Sequence, residues 1–439
     1  MGAEPATDVA WQTSDTEVSP QIAHGNPGQY VLKPGYRQTE VGVIPEDWEV
    51  KTLGDVGECL IGLTYNPSNV KEHGLLVLRS SNISNGRLVL EDNVFVDVDV
   101  PKRIRAQKGD ILICVRNGSR DLIGKCALID EQVTGETFGA FMSVFRTPHS
   151  DYVFYQFQSE LVKRQIHENI GATINQITNK DLNSFKIPIP PLPEQHAIAA
   201  ALSDVDALLA KLDALIIKKR EVKQAAMQQL LTGKQRLPGF SGEWEVKRLG
   251  DVGTFSKGRG IRKDEVASGG LPCIRYGEIY TRHNDYIKVF HSFIPRRVAN
   301  QSQRLRRGDL LFAGSGETAE EIGKCVAFLS DEETYAGGDI VIFTPSGQDS
   351  MYLGYLMNHS SISYQKARMG QGDAVVHISA ANLAQLELRL PRPEEQTAIA
   401  AVLSDMDAEI TALETRRDKT RALKQGMMQE LLTGRIRLL

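Results

Sequence analysis

Several chemical signatures are missing from this chain of 439 residues, and each absence removes a class of function. The five cysteines include no CxxC pair, and the nine histidines form no HExxH or HxxxH pattern. An odd and unclustered set of cysteines argues against a disulfide framework and against a zinc site. The sequence also lacks a phosphate loop, a dinucleotide-binding glycine loop, a G-x-S-x-G motif and a catalytic Cys/His signature. It therefore predicts no metal site and no bond chemistry by this chain itself.

Long apolar runs and an excess of positive charge are missing as well. No stretch has the length of a membrane span, and the N-terminus lacks a signal-peptide pattern, so we expect a cytoplasmic protein. The 51 Lys and Arg residues against 55 Asp and Glu give a formal net charge of −4. Small DNA-binding modules are usually basic. Any nucleic-acid surface must therefore be a local patch, or a partner must complete it.

One long helical pattern is present, and it occurs twice. Residues 195–237 and 396–438 align at an offset of 201, and 23 of the 43 aligned positions are identical. Apolar residues recur in both copies with 4-3 spacing, a period of 3.5 that keeps one stripe facing a partner helix. The predicted coiled-coil seam consists of Ile198, Leu202, Val205, Leu209, Leu212, Ile216, Leu230, Ile399, Leu403, Met406, Ile410, Leu413, Met427 and Leu431.

The limits of these helices are marked by proline and glycine. Pro193 and Pro393 stand at the predicted starts, where a missing N–H costs nothing. Gly233 and Gly434 stand at the predicted ends, where a left-handed cap needs no Cβ. The pattern thus predicts helices over 194–232 and 395–433.

The direction of helix pairing follows from the position of the second block between the two helices. Domain termini usually lie close together. The first helix leads into this block and the second leads out of it, so the helices should pair antiparallel, with the two blocks related by a pseudo-twofold axis. This arrangement would place Ile198 near Leu431 and Leu230 near Ile399.

The two blocks share a frame but differ in the segments between its fixed points. Short apolar runs bounded by Gly, Asn and Asp predict strands, and amphipathic segments near 152–168 and 352–368 predict helices, which makes each block an α+β domain. The blocks diverge most at Arg116–Arg120 against Gly314–Thr318, and at Asn175-Gln176 against Val376-His377. A constant frame with dissimilar inserts suggests two different recognition surfaces.

The polar residues on these inserts are of the types that bind DNA. Arg pairs with guanine, Asn and Gln pair with adenine, and Lys and Ser hold phosphates. The alternative for any one of them is a solvated surface side chain. The candidate DNA-binding residues are Arg79, Ser81, Asn82, Arg116, Asn117, Arg120, Lys125, Asn175, Gln176, Arg259, Arg262, Arg275, Tyr276, Arg282, Ser315, Lys324 and His377.

These motifs together resemble the specificity subunit of a type I restriction–modification enzyme, a phage-defence system. Each variable block is led by W-E-V-K-x-L-G-D-V, and each helix carries E-Q-x-A-I-A-A-x-L-S-D-x-D and ends in L-L-T-G. The resemblance implies an α+β fold with two target-recognition domains in a pseudo-twofold arrangement, separated by an antiparallel coiled coil. It also implies four segments: recognition domain 36–192, central helix 193–239, recognition domain 240–392 and C-terminal helix 393–439. Residues 1–35 carry little hydrophobic pattern and form an N-terminal extension that the resemblance does not cover.

The resemblance further implies what the chain binds. Each recognition domain would read one half of a split site in double-stranded DNA. The helices would set the spacing and dock two methyltransferase subunits, which methylate adenine N6 with S-adenosylmethionine. Restriction subunits using ATP and Mg would complete the complex, and this chain would bind none of these cofactors and no membrane. The candidate partner-binding flank consists of Ala201, Leu208, Leu215, Val222, Val402 and Leu423.

Two other functions are compatible with the residues alone. A stand-alone regulator could use the same twofold logic for half-sites on one DNA face. A coiled-coil scaffold could hold two protein ligands with no role on DNA. Specific binding by the isolated chain would favour the regulator, and absence of salt-dependent DNA binding would favour the scaffold.

Overall fold

The computed structural model describes residues 32–170, 175–372 and 375–438, so most of the predicted N-terminal extension lies outside the described residues. The chain divides into two compact units. One extends to Leu202 and also contains Gly426–Leu439, and the other is Ser203–Gln425. Each unit therefore holds one variable block together with parts of both long helices.

The first unit is built on two four-stranded sheets. Its antiparallel sheet has the strand order Cys126–Leu128, Ile111–Cys114, Met142–Arg146 and Glu58–Ile61. Its mixed sheet has the order Thr137–Phe138, Leu75–Leu78, Phe95–Val96 and Val70–Lys71, with the first pair parallel. Three strand pairs complete it: Tyr36–Thr39 with Gly42–Pro45, Glu49–Thr52 with Lys186–Ile189, and Ile83–Ser84 with Arg87–Leu88. Its short α-helices are Leu53–Val56, Ser150–Gln158, Glu160–Asn169 and Asn179–Ser184.

The second unit repeats this plan. Its antiparallel sheet has the order Cys325–Ala327, Leu310–Ala313, Ile340–Pro345 and Gly253–Lys257, which matches the first unit strand for strand. Its mixed sheet has the order Ser292–Ile294, Leu271–Ile274, Tyr335–Ala336 and Gln303–Arg304. Two pairs complete it: Glu245–Arg248 with Glu387–Leu390, and Ser315–Gly316 with Val376–His377. Its short α-helices are Tyr276–Thr281, Arg296–Ala299, Ser350–Asn358, Ser360–Met369 and Ala380–Ala384.

The two amphipathic segments predicted to be helical each contain a break between two helices. Ser159 has φ −71° and ψ 154°, and its hydroxyl accepts from Val162 N at 3.2 Å. His359 has φ −66° and ψ 144°, and its Nδ1 accepts from Ser361 N at 3.3 Å. Each residue therefore caps a new helix, because its extended backbone stops the first helix and its side chain satisfies a free N–H of the second. The helical character predicted for both segments is confirmed, and each segment consists of two consecutive helices.

The long helices span Leu192–Leu230 and Pro393–Leu431, 39 residues each. Gly233 and Gly434 follow them with φ of 70° and 71°, in the left-handed region that favours glycine. The helix ends thus fall where the proline and glycine pattern predicted them, to within two residues.

Ion pairs between the long helices within the second unit establish their direction. As the residue number rises along one helix it falls along the other, in the pairs Asp206–Lys424 at 2.8 Å, Asp213–Arg417 at 3.9 Å, Lys219–Glu409 at 2.6 Å and Lys223–Asp407 at 2.8 Å. The pairs of Asp206 and Asp407 are repeat equivalents, so each helix contributes the same acid and the same lysine. The predicted antiparallel coiled coil is confirmed.

Apolar packing within each unit agrees with that direction. Ile198 and Leu431 belong to one buried cluster of the first unit, and Leu230 and Ile399 belong to one buried cluster of the second. The remaining residues of the predicted seam are buried or half-buried along the helices. Burial of a period-3.5 stripe is the main source of stability for helices of this length.

In each unit an ionic clamp joins the start of one long helix to the segment that follows the other. In the first unit the buried Glu194 accepts from Trp48 Nε1 at 3.0 Å and from Arg437 Nε at 2.6 Å. In the second unit Arg236 Nη2 donates to Glu395 at 2.6 Å and its guanidinium lies over the Trp244 ring. Each arginine follows the end of one helix and binds the start of the other, so the clamp fixes the helix register.

Candidate nucleic-acid interface

The two divergent segments of the first block meet in space. Arg116 and Gln176 form an isolated antiparallel β-bridge, and Asn117 N donates to Asn175 O at 3.2 Å. Asn175 Nδ2 in turn donates to Gly118 O at 2.9 Å. In the first block, the two segments that differ most between the repeats therefore form one surface.

Arg116 projects from this surface over an aromatic ring. Its guanidinium carbon lies 4.9 Å from the centroid of Phe141, a side chain that is 56% exposed. The backbone N–H of Arg116 donates to Phe141 O at 3.1 Å. We call Arg116, Phe141 and Gln176 the first corner.

The second block brings its divergent segments together in the same way. Ser315 pairs with His377 across a short antiparallel ladder, and Ser315 Oγ lies 2.9 Å from His377 Nδ1. Ser315 is 7% exposed, whereas His377 is exposed. Both line a groove of about 490 Å³ together with Asp339. We call Ser315, Asp339 and His377 the second corner.

The backbone frame of the two corners is the same. Val115 N donates to Phe141 O at 3.0 Å, and Gly314 N donates to Asp339 O at 2.7 Å. On the other side, Ile177 N donates to Val115 O at 2.9 Å and Ile378 N donates to Gly314 O at 3.0 Å. Phe141 and Asp339 are thus equivalent positions, and every side chain of one corner has a chemically different counterpart in the other.

Comparison with known proteins agrees with this duplicated frame. The family model described as type I restriction modification DNA specificity domain matches residues 45–219 and again residues 241–421. This chain belongs to that family. Both matches include one corner and part of the adjoining long helix, so from here the two matched regions are the first and second specificity domains.

Relatives and solved structures match between about two thirds and nine tenths of this chain. The type I restriction enzyme MjaVIII specificity subunit of Methanocaldococcus jannaschii is 24% identical over 93% of this chain and 98% of its own. The EcoKI specificity subunit of Escherichia coli is 28% identical over 65% of each chain. The S subunit of a type I restriction-modification system from M. genitalium has a TM-score of 0.56 at 15% identity, covering 88% of this chain and 96% of that one. A chain from a type I R-M system has a TM-score of 0.53 at 20% identity, covering 90% and 99%. The structural likenesses establish the shared fold.

The two candidate lysines of the specificity domains are half-buried and donate to backbone carbonyls. Lys125 Nζ donates to Ser80 O at 3.1 Å. Lys324 Nζ donates to His283 O at 2.8 Å and to Tyr280 O at 3.3 Å, and burial lowers its pKa. Each ammonium therefore holds a neighbouring loop by its backbone, and a role as a free phosphate ligand does not fit this geometry.

Asn82 is a second correction to the candidate set. It is fully buried, its Oδ1 accepts from Arg79 N at 2.9 Å, and its Nδ2 donates to Val89 O at 3.1 Å. Arg79 itself pairs with Asp92 at 2.8 Å. Asn82 is therefore the internal brace of its loop, because a buried amide is satisfied by backbone partners and cannot reach a base.

The other candidates stand at or near the surface. Asn117 and Arg275 are half-buried, and Asn117 Nδ2 donates to Ser80 Oγ at 3.2 Å. Arg120 is exposed and donates to His167 O at 3.1 Å. The remaining exposed candidates are Ser81, Arg259, Arg262, Tyr276 and Arg282. Their contacts with DNA stay a prediction.

The cysteines pack mainly in the apolar cores of the two units. Cys126 and Cys325 are both buried in the apolar cores, and burial raises the pKa of Cys59 and Cys273 to about 12. Within residues 32–170, 175–372 and 375–438 no three His, Cys, Asp or Glu side chains cluster as a metal site. Over the same ranges no helix has the length and apolarity needed to cross a bilayer.

The candidate partner-binding flank is apolar and largely open on the long helices. Leu208 and Leu215 are each 38% exposed, Val222 is 46% exposed and Leu423 is 59% exposed. Ala201 and Val402 are half-buried. Sequence reasoning did not include Ile217, which is 56% exposed, because it lies outside the heptad stripe.

Proposed function

We propose that this chain is the DNA-specificity subunit of a type I restriction–modification enzyme, in which each specificity domain reads one half of a split DNA site. The main support for the proposal is the structure of the two corners. Equivalent backbone hydrogen bonds form both of them, but the side chains at equivalent positions differ. Arg116 offers the planar fork that binds guanine O6 and N7, and the amide of Gln176 matches adenine. Ser315 and His377 offer other donors and acceptors, so the two halves of the site should differ in sequence.

The long helices supply the second part of the proposal. A fixed antiparallel register, set by paired ions and end clamps, would keep the spacing between the two half-sites constant. The exposed apolar flank would dock two methyltransferase subunits, since repeated surfaces on a duplicated frame favour two copies of one partner. Those partners would hold S-adenosylmethionine for adenine N6 methylation, and restriction subunits would hold ATP and Mg. Shared DNA binding with such partners also accounts for a chain whose formal net charge is −4.

The test exchanges one specificity domain and maps the methylated adenines. A chain in which residues 45–190 come from another family member is expressed with the cognate methyltransferase, and single-molecule sequencing locates the modified sites. We expect a change in one half of a split site, with the other half and the spacing retained. The matched exchange of residues 241–390 should change the other half alone.

Two results would contradict the proposal. A continuous methylated site, or a change in both halves after a single exchange, would rule out the two-domain reading. Specific DNA binding by the chain without methyltransferase, together with no effect on methylation, would instead favour the stand-alone regulator.

A further inference from the structure

We propose that Phe141 and Asp339 are specificity-determining residues, at equivalent points of the two half-site surfaces. The inference rests on the proposed function and adds a position that the divergent letters alone do not reveal. Strand register reveals it: Cys114 pairs with Met142 and Ala313 pairs with Ile340, so the preceding residues, Phe141 and Asp339, occupy the same place.

Phe141 has the geometry of a positioning platform for Arg116. Phe141 comes directly before the core strand Met142–Arg146 and is 56% exposed. A phenylalanine this exposed contributes only part of the stability that a buried ring would give. The guanidinium lies 4.9 Å above the Phe141 ring, and the Phe141 carbonyl also holds the Arg116 N–H. Stacking restricts the plane of the guanidinium, and a bidentate contact with guanine depends on that plane. Phe141 should therefore raise the preference for one guanine in the first half-site.

Asp339 presents a different chemistry at the same point. It is an exposed non-glycine residue with φ of 60°, a strained conformation that is enriched at functional sites. Asp339 lines the same groove as Ser315 and His377, and Lys257 lines it too. Phosphates repel a carboxylate, whereas the exocyclic amine of cytosine donates to one. Asp339 should therefore select an amino-bearing base, cytosine first, in the second half-site.

The equivalent positions thus differ in chemistry, because one places an aromatic ring under an arginine and the other carries a carboxyl group. An arginine on an aromatic ring seeks base acceptors, and a carboxylate seeks base donors. Because the frame is common, this one chain position changes the preference of a corner without changing its backbone hydrogen bonds.

The experiment expresses single variants with the cognate methyltransferase and measures base preference at every position of both half-sites. Phe141→Ala should lower the preference at one position of the first half-site by roughly tenfold, the scale of one good base contact, and leave the second half unchanged. Asp339→Asn keeps the side-chain size and tolerates positive φ, so it should alter one position of the second half alone. Exposed residues elsewhere provide matched controls, Val70→Ala in the first domain and Asp331→Asn in the second, and both should keep the wild-type preferences.

The possible results distinguish a failure of the inference about Phe141 and Asp339 from a failure of the proposed function. If the wild-type chain directs methylation to a split site and both corner variants keep its base preferences, the inference is overturned while the proposed function stands. If the wild-type chain directs no split-site methylation, the proposed function fails first. Phe141→Leu keeps an apolar side chain without a ring face, so it must reproduce the loss of Phe141→Ala even if the alanine variant folds poorly.

Discussion

A buried lysine in the second specificity domain should destabilise the protein at neutral pH. Lys366 is 2% exposed, and its Nζ donates to Gly323 O at 2.7 Å. Burial lowers the pKa of Lys366 from 10.5 to about 8. The corresponding residue of the first domain is Ile166, which packs on Gly124 as Lys366 packs on Gly323. The fold therefore accommodates an apolar side chain at this position.

The sign and size of the effect follow from linkage. Below pH 8 both folded and unfolded states carry the charge, and a pKa lowered from 10.5 to about 8 corresponds to a penalty of about 3 kcal/mol. Between pH 8 and 10.5 the folded state releases the proton first, so the stability of the wild-type chain rises with pH. Lys366→Ile removes this penalty but loses a charge-assisted hydrogen bond and leaves the buried Gly323 carbonyl without this donor, which costs about 2 kcal/mol. We expect the variant to be more stable by about 1 kcal/mol at pH 7.

The assay compares chemical denaturation of the full wild-type and variant chains at several pH values from 7 to 10.5. The advantage of Lys366→Ile should be largest at pH 7 and shrink as the pH approaches 10.5, because the wild-type lysine is then neutral. Lys163→Ile removes an exposed lysine from the matching helix of the first domain and should show little difference at any pH. A Lys366→Ile variant that is less stable at pH 7, or a difference that does not depend on pH, would refute the reasoning.

Two further predictions concern binding. Lys125→Met should leave the salt dependence of DNA binding unchanged and cost about 1 kcal/mol of stability, because its ammonium is already bonded to Ser80 O; a fall of about one in the salt slope would restore the phosphate role. Leu215→Glu and Val222→Glu should each lower the number of methyltransferase subunits seen by native mass spectrometry, whereas the more exposed control Val246→Glu should not; unchanged stoichiometry would remove the flank from the docking surface.

Repetition made the scaffold predictable from the sequence. Apolar residues with a period of 3.5, bounded by proline and glycine, predict a long helix. Because this pattern occurs twice, each helix has the other as its expected partner. The ends predicted near Pro193 and Gly233 lie close to those of the helix Leu192–Leu230. Local interactions and burial of a stripe both act on this segment, so pattern and structure agree.

Side-chain roles within the loops were less predictable, because they depend on contacts far apart in the sequence. Asn82 is the type of residue that binds adenine, yet the loop folds around it. Lys125 is a plausible phosphate ligand until Ser80, 45 residues away, supplies a carbonyl. Ser159 can stand inside a helix or cap one, and its extended backbone together with the hydrogen bond from Val162 N makes it a cap. Residue type gives the chemistry that is possible, and the neighbours decide which part of it is used.

The corners show why recognition can vary on a fixed frame. Their defining hydrogen bonds run between backbone groups, as from Val115 N to Phe141 O and from Gly314 N to Asp339 O, so they do not depend on the side chains that differ. Exposed substitutions away from the core usually change stability by less than about 0.5 kcal/mol. A phenylalanine can therefore stand where the other repeat has an aspartate without cost to the strands behind it. Equivalent positions in the two corners therefore need not resemble each other in sequence. They are identified by strand register and not by residue type.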